Sequence, residues 1–327
     1  MRIRLFQVIV VLIILIGGGV CFMRYTQQAQ FEKQSIDKGN TSSQSEKRMV
    51  VPPKRYLQQA SRDQRGSVKK VTYQTTEQHV QYSKQALVYL PADYRQDRQK
   101  PYDVLYLMHG WNMSASDFLG ETGTNQMTRW KLMLDHAIAE KRIKPLIVVA
   151  PTYYQDRTKI TSDWDDDLPL NRRFATQELT NDLMPVIASQ FHTYATGTQP
   201  SQLQQARDHQ AFAGFSMGSA TTWFVFQYDL KFFRYFMPMS GPNASDAAVM
   251  AKSVKSAGLN QDDFFIAASV GGADSTKYAM KPAIKSLWRQ SVFTKDNLWY
   301  REDQHGGHDE QSFTNQSYNA LPLLFKQ

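Results

Sequence analysis

The chain has a single cysteine among its 327 residues, Cys21, and it lies inside the one long apolar run. Beyond that run there is no thiol, which excludes an internal disulfide, a cysteine-ligated zinc and a Cys-His catalytic pair. No internal repeat and no second linker is visible after residue 66. No small-residue cleavage site of the A-x-A type closes the apolar run, and Val20 is bulkier than the glycine or alanine that usually precedes a lipidated cysteine. An even spread of charge is also missing. The formal charge is +8, yet residues 24–70 hold eleven Lys or Arg against four Asp or Glu, while residues 71–327 hold 25 against 26. Nucleic-acid binding by the part beyond residue 70 therefore has no electrostatic support.

What is present at the start is a basic Met1-Arg2-Ile3-Arg4 followed by nineteen residues, Leu5 to Met23, with Gln7 as the one polar member. A helix of that length crosses a bilayer. The reading is an N-terminal transmembrane helix over residues 1–23, with a cleaved signal sequence as the alternative. It places the remainder outside the cell membrane, tethered in the first case and secreted in the second. Residues 24–66 are polar and basic and read as a flexible stalk. Its charges suit anionic lipid or an anionic wall polymer, or serve solubility alone.

From residue 67 to 327 the chain has the length of one large α/β domain. Val68–Thr75 and Gln85–Leu90 read as an antiparallel start to a sheet. Continuous apolar runs follow at 103–108, 145–150, 211–215, 235–239, 264–270 and 297–301, as expected of strands buried on both faces. Helix-length segments at 126–141, 176–191, 217–227 and 247–257 separate them. The alternation predicts a mostly parallel central sheet with helices on both faces, whose chemistry collects at the carboxyl ends of the strands.

At one such end stands Gly214-Phe215-Ser216-Met217-Gly218. G-x-S-x-G between a strand and a helix holds a serine on a strained turn with its hydroxyl exposed. Ser216 is the candidate nucleophile, and the Met217 amide, at a helix N-terminus, is placed to meet an oxyanion. A serine needs a base, and the base needs an acid to hold its tautomer. Asp274 follows a strand in Gly271-Gly272-Ala273-Asp274 and is the preferred acid, with a plain turn role or Asp246 as alternatives. Of the seven histidines, His305 and His308 follow the last strand, and His308 is preferred as base. His109 is read as shaping its loop, and Asp309 as capping the last helix. The order Ser, Asp, His is that of α/β-hydrolases. No metal is expected: His305, His308 and Asp309 lack a third ligand group of comparable spacing. The acidic stretch Asp163, Asp165, Asp167 has Leu168 and Phe174 where a calcium loop needs glycine and glutamate.

These residues resemble the esterase D and feruloyl esterase group of α/β-hydrolases, which includes acetyl xylan esterases and is related to the mycolyltransferases. The resemblance covers roughly residues 70–325. It rests on Val88-Tyr89-Leu90-Pro91, Leu105-Tyr106-Leu107-Met108-His109-Gly110, Glu178-Leu179 with Asp182-Leu183-Met184-Pro185, the Ser216 pentapeptide, and Gly306-Gly307-His308-Asp309. It implies an α/β-hydrolase fold in which Ser216 is the nucleophile, His308 the base and Asp274 the acid. The backbone amides of Trp111 and Met217 form the oxyanion site, and no cofactor is needed. The implied activity is a serine carboxylic ester hydrolase acting on acetyl or feruloyl-type esters of carbohydrate, or on small esters. A surface acyltransferase and a non-catalytic carbohydrate-binding protein are the rivals. Two departures stand out: Ser219 replaces a frequent second glycine, and Glu310 replaces an aromatic residue, with Phe313 nearby. Trp111, Tyr153, Tyr154 and Trp164 are candidates for an aromatic substrate wall or for loop packing.

Overall fold

The described residues form one eight-stranded sheet. The computed structural model describes residues 48–326, apart from 78, 123–126, 157–159, 161, 162, 243 and 244. β1 (Ser67–Glu77) and β2 (Val80–Leu90) form an antiparallel hairpin, and β2 runs antiparallel to β4 (Leu146–Ala150). From there every pairing is parallel, through β3 (Asp103–Met108), β5 (Gln210–Phe215), β6 (Tyr235–Met239), β7 (Phe265–Gly271) and β8 (Leu298–Asp303). The expected mostly parallel α/β sheet is thus present.

Every residue of β3, β4, β5 and β6 is buried, which is why these strands read as unbroken apolar runs. Alternate side chains part to opposite faces. Val104, Tyr106 and Met108 join the core under the Met217–Tyr228 and Lys277–Leu287 helices, while Leu105 and Leu107 join the core under Arg129–Ala139 and Glu310–Ala320. Helices therefore cover both faces. A ten-residue π-helical stretch, Phe174–Leu183, continues the Leu168–Arg173 helix. Its buried Glu178 accepts hydrogen bonds from Tyr73 (2.6 Å) and Arg173 (2.9 Å) and lies 2.6 Å from the Lys84 ammonium. Burial pushes that ammonium below its ordinary pKa even with the carboxylate beside it. These contacts fasten the hairpin to the helical layer.

The anchor expected over residues 1–23 and the first part of the expected stalk lie outside the described residues. Among the described residues no helix is long and apolar enough to cross a membrane. The stalk expected to run to residue 66 needs correction. Arg48–Gln327 is one compact unit, and residues 48–66 pack on it. Tyr56 is buried, stacked on His136 at 5.2 Å and edge-on to Tyr318 at 5.6 Å, and its hydroxyl donates to Glu140 at 2.8 Å. Arg55 makes two further hydrogen bonds to the same carboxylate. The segment is polar in composition, but a few well-placed aromatic and ionic contacts dock it. With the boundary at Arg48 the folded unit carries 32 Lys or Arg against 27 Asp or Glu, so it is basic rather than neutral.

Candidate active site

The turn after β5 is built by close backbone approach. A Cβ on Gly214 would stand 2.0 Å from the Gly218 carbonyl oxygen, and one on Gly218 would stand 2.2 Å from the Met108 carbonyl oxygen. No side chain fits at either position, so the Met217–Tyr228 helix lies directly against the ends of β5 and β3. Between the glycines Ser216 has φ 57° and ψ −117°. For a residue with a Cβ that conformation costs about 1–3 kcal/mol. The Ser216 N–H donates to the Met239 carbonyl at 2.9 Å, and the Ser219 hydroxyl donates to the Gly241 carbonyl at 2.8 Å. These bonds tie the elbow to the end of β6. Ser219, in place of a glycine, is buried and satisfied.

The structure brings Ser216, Asp274 and His308 together at one rim. The Ser216 hydroxyl lies 2.8 Å from His308 Nε2, and His308 Nδ1 lies 2.8 Å from an Asp274 carboxylate oxygen. A carboxylate only accepts, so the Nδ1 proton points to Asp274 and Nε2 is left to accept the serine proton. The other Asp274 oxygen accepts from the Thr276 N–H (2.8 Å) and hydroxyl (2.7 Å). Burial pushes the Asp274 carboxyl up, but the hydrogen bonds from His308 and Thr276 outweigh it and hold the group below its ordinary pKa. The loops that carry the pair are stitched to each other, Gly272 N–H to Asp303 O at 2.7 Å and Ala273 N–H to Gly306 O at 2.9 Å. The His308 ring rests 4.6 Å from the Phe215 ring, which Phe313 backs at 5.0 Å. Glu310 turns away and accepts the Arg129 N–H at the start of the Arg129–Ala139 helix.

The turn that follows β3 borders the serine. A Cβ on Gly110 would stand 3.1 Å from Ser216 Cβ, and the turn closes with Met113 N–H to Gly110 O at 3.2 Å. Trp111 lies within it, and Met217 opens the helix on the other side of the serine. Beneath the turn His109 is fully buried; Nδ1 donates to the Gly110 carbonyl and Nε2 accepts from the Thr152 hydroxyl, each at 2.8 Å. The loop-shaping role expected for His109 matches this geometry.

The aromatic residues after β4 do not form a wall. Tyr153 and Tyr154 are both buried, with their rings 4.9 and 5.7 Å from the His109 ring. They had nothing in their local sequence to separate a wall from packing, and packing is what they do. The Tyr154 hydroxyl accepts the Asn112 N–H at 3.3 Å and donates to the buried Asp167 at 2.5 Å. Burial and then that carboxylate push the Tyr154 hydroxyl up to about 12. This clamp on the Trp111 turn escaped the sequence reading; the signal that could have found it was the position of both tyrosines just past a buried strand. Trp111 is 38% exposed at the rim. The side chain of Trp164 lies outside what is described.

The remaining candidates separate cleanly. Asp246 caps the Ala247–Ser256 helix through the Ala248 N–H, and Asp309 caps Glu310–Ala320 through the Ser312 N–H. Asp163 accepts the Asp165 N–H, while Asp167 faces inward to Tyr154. His209 pairs with Asp103 at the opposite ends of β5 and β3. His305 is exposed beside the rim. With a proton acceptor on its hydroxyl and a carboxylate behind that acceptor, Ser216 is set for covalent acyl chemistry.

A family model described as "Putative esterase" matches residues 78–318. The chain is 30% identical over 277 residues to endo-1,4-beta-xylanase Y of Acetivibrio thermocellus, covering 81% of this chain and 24% of that protein. It is 31% identical over 165 residues to an endo-1,4-beta-xylanase/feruloyl esterase of Xylanibacter ruminicola, covering 48% of this chain and 19% of that protein. The chain thus spans a quarter or less of the length of these curated relatives. Among solved structures, a mutant of the feruloyl esterase module from Clostridium thermocellum complexed with sinapinate has a TM-score of 0.74 at 28% identity, covering 88% of this chain and 96% of that one. A ferulic acid esterase from the anaerobic fungus Anaeromyces mucronatus has a TM-score of 0.64 at 19% identity, covering 85% and 98%, a likeness of fold.

Proposed function

Since the chain belongs to this esterase family, as a serine esterase of the feruloyl esterase-like α/β-hydrolase type, we propose that it cleaves hydroxycinnamoyl esters of carbohydrate through Ser216, His308 and Asp274. One observation carries the assignment of residues: the unbroken relay from the Ser216 hydroxyl through His308 to Asp274, 2.8 Å at each step. In this mechanism Ser216 Oγ attacks the ester carbonyl carbon as its proton passes to His308 Nε2. The carbonyl oxygen takes up negative charge between the Met217 and Trp111 amides. His308 returns the proton to the departing alcohol oxygen, leaving an acyl-serine. Water attacks that carbonyl in turn, giving one proton to His308, which returns it to Ser216 Oγ as the acyl–Oγ bond breaks, releasing the carboxylic acid and restoring Ser216. Asp274 steadies the imidazolium throughout.

Support for an aromatic acyl group comes from the relative that holds sinapinate, a methoxylated hydroxycinnamate. The test is hydrolysis of methyl sinapate and methyl ferulate beside a short-chain aryl acetate, with Ser216→Ala as control. We expect the hydroxycinnamates to be the better substrates and the variant to lose at least about a hundredfold in kcat. Preference for the acetate would overturn the acyl assignment, and unchanged turnover in the variant would overturn the nucleophile. Acyl transfer to a sugar hydroxyl outpacing hydrolysis would make the protein an acyltransferase.

We also propose that Leu5 to Met23 tethers the enzyme to the outer side of the cell membrane. The support is the length and apolarity of that run. Carbonate-resistant sedimentation of the full chain with membranes tests it, and release into the supernatant would overturn it.

A further inference from the structure

Two grooves lie away from Ser216. Of about 440 and 390 Å³, they adjoin at Lys326 and run along the edge where the parallel strands begin, past Leu146, Tyr235 and Phe265. That edge is separated from the serine by about 20 Å, the length of a six-residue strand such as β5. Lys141, Arg142, Lys144 and Lys326 border the two grooves, against Asp262 and Asp296, while Arg234 there is paired with Asp208 at 3.3 Å. Arg142 bonds the Tyr318 carbonyl at 3.1 Å and Lys144 points at the Phe325 carbonyl at 3.4 Å. Carbonyl partners orient a cation without cancelling its charge.

The described loops of the catalytic rim have the opposite character. Asp117, Glu121, Asp163, Asp165, Asp166 and Asp309 are all exposed there. Among the described residues, exposed carboxylates thus stand on these loops while lysines border the grooves at the other end of the strands. Asn319, in the last turn of the Glu310–Ala320 helix, holds Val50 through two hydrogen bonds of 3.0 and 2.8 Å. The turn Leu321–Leu323 follows immediately and lines the grooves. Val50 thus lies beside the end of the helix that leads into the grooves.

We propose that the face bearing these grooves docks on an anionic bilayer surface and so holds the catalytic rim outward, toward substrate. Lysines near an anionic leaflet each strengthen association by about a factor of five, within a Debye length of about 10 Å. The grooved, partly apolar floor lets the lipid headgroups sit between the cations. The inference rests on the tethered reading, which puts a bilayer within reach, and not on the esterase chemistry.

The compact unit Arg48–Gln327 has its own core on both sheet faces, so it is tested without the apolar run. It is sedimented with vesicles of phosphatidylglycerol and phosphatidylcholine, and with phosphatidylcholine alone, at about 0.1 M salt. We expect binding to the first and not the second, about hundredfold weaker after Lys141→Gln, Lys144→Gln and Lys326→Gln together. These lysines are exposed, so the triple variant keeps its hydrolysis of soluble methyl ferulate. Ser216→Ala binds vesicles as the wild type does, which separates this proposal from the catalytic one. The bound enzyme keeps its kcat/KM on the soluble ester. Equal binding to neutral vesicles, undiminished binding by the triple variant, or tighter binding to soluble polyphosphate than to vesicles would each overturn it. So would loss of activity on binding, since that places the rim against the lipid.

Discussion

At the carboxyl ends of β3, β5, β7 and β8 backbone meets backbone, whereas the amino ends of β4, β6 and β7 border open grooves lined by side chains. Gly218 is pressed onto the Met108 carbonyl and Gly272 faces the Gln304 carbonyl where Ser216, His308 and Asp274 converge from three loops. The opposite edge holds Phe325 against Tyr235 at 5.2 Å and is bordered by flexible cations. Chemistry demands positions fixed to a few tenths of an ångström; a charged surface needs only sign and reach. Substitutions at the two edges therefore differ in kind.

The largest contrast is between two glycines. In Gly218→Ala the new methyl must push the helix away from β3, moving Ser216 and the Met217 amide with it. We expect a loss of at least about a hundredfold in kcat/KM, the penalty for misplacing reacting groups by about 1 Å, measured with the folded state checked by circular dichroism. Gly258 lies in the approach to β7 on the other edge, with φ 76° and open space around it. Gly258→Ala pays only for the left-handed backbone, about 1–2 kcal/mol in denaturant titration, with kcat/KM unchanged. Equal effects on activity would erase the distinction between the edges.

A smaller effect sharpens the same comparison within the rim. Tyr154→Phe keeps the ring packed on His109 but removes the hydroxyl that links Asn112 N–H to Asp167. Its role is positioning, through the turn that bears the Trp111 amide. On the oxyanion role proposed for that amide, we expect kcat to fall about tenfold with KM little changed. A binding constant for a boronic acid analogue of the substrate weakens in parallel. A change in KM alone would assign Tyr154 to substrate binding instead.

The sheet was legible because its central strands are buried on both faces, and such strands have no polar face to confuse the pattern. Ser216, Asp274 and His308 were legible for a related reason: each follows an apolar run by a few residues, so sequence position alone put it on the rim. Other features carry no such local mark. The Lys277–Leu287 helix went unread because it is interrupted by Pro282 and buries only Met280, Ile284 and Leu287, a thin stripe in a polar segment. The Tyr154 clamp depends on Asp167, thirteen residues away across a loop. The true start of the folded unit was hidden by composition, since residues 48–66 look like the basic stretch before them.

That last segment supplies the mildest test of the comparison, because it is structure with no part in the chemistry. Tyr56 reaches the core that also holds Tyr318, Leu321 and Phe325, on the side away from the serine. Tyr56→Ala removes a buried ring, its stacking on His136 and a hydrogen bond to Glu140. Large-to-small changes of this type cost about 3 kcal/mol or somewhat more. Denaturant titration of the Arg48–Gln327 unit should show that loss, while kcat/KM on methyl ferulate stays as it was. If instead stability were untouched, residues 48–66 would be tail and not domain, and the place where the chain joins the basic edge would lose its anchor point. If activity fell with stability intact, the two edges would be coupled through the Glu310–Ala320 helix, which begins two residues after His308 and ends beside Val50.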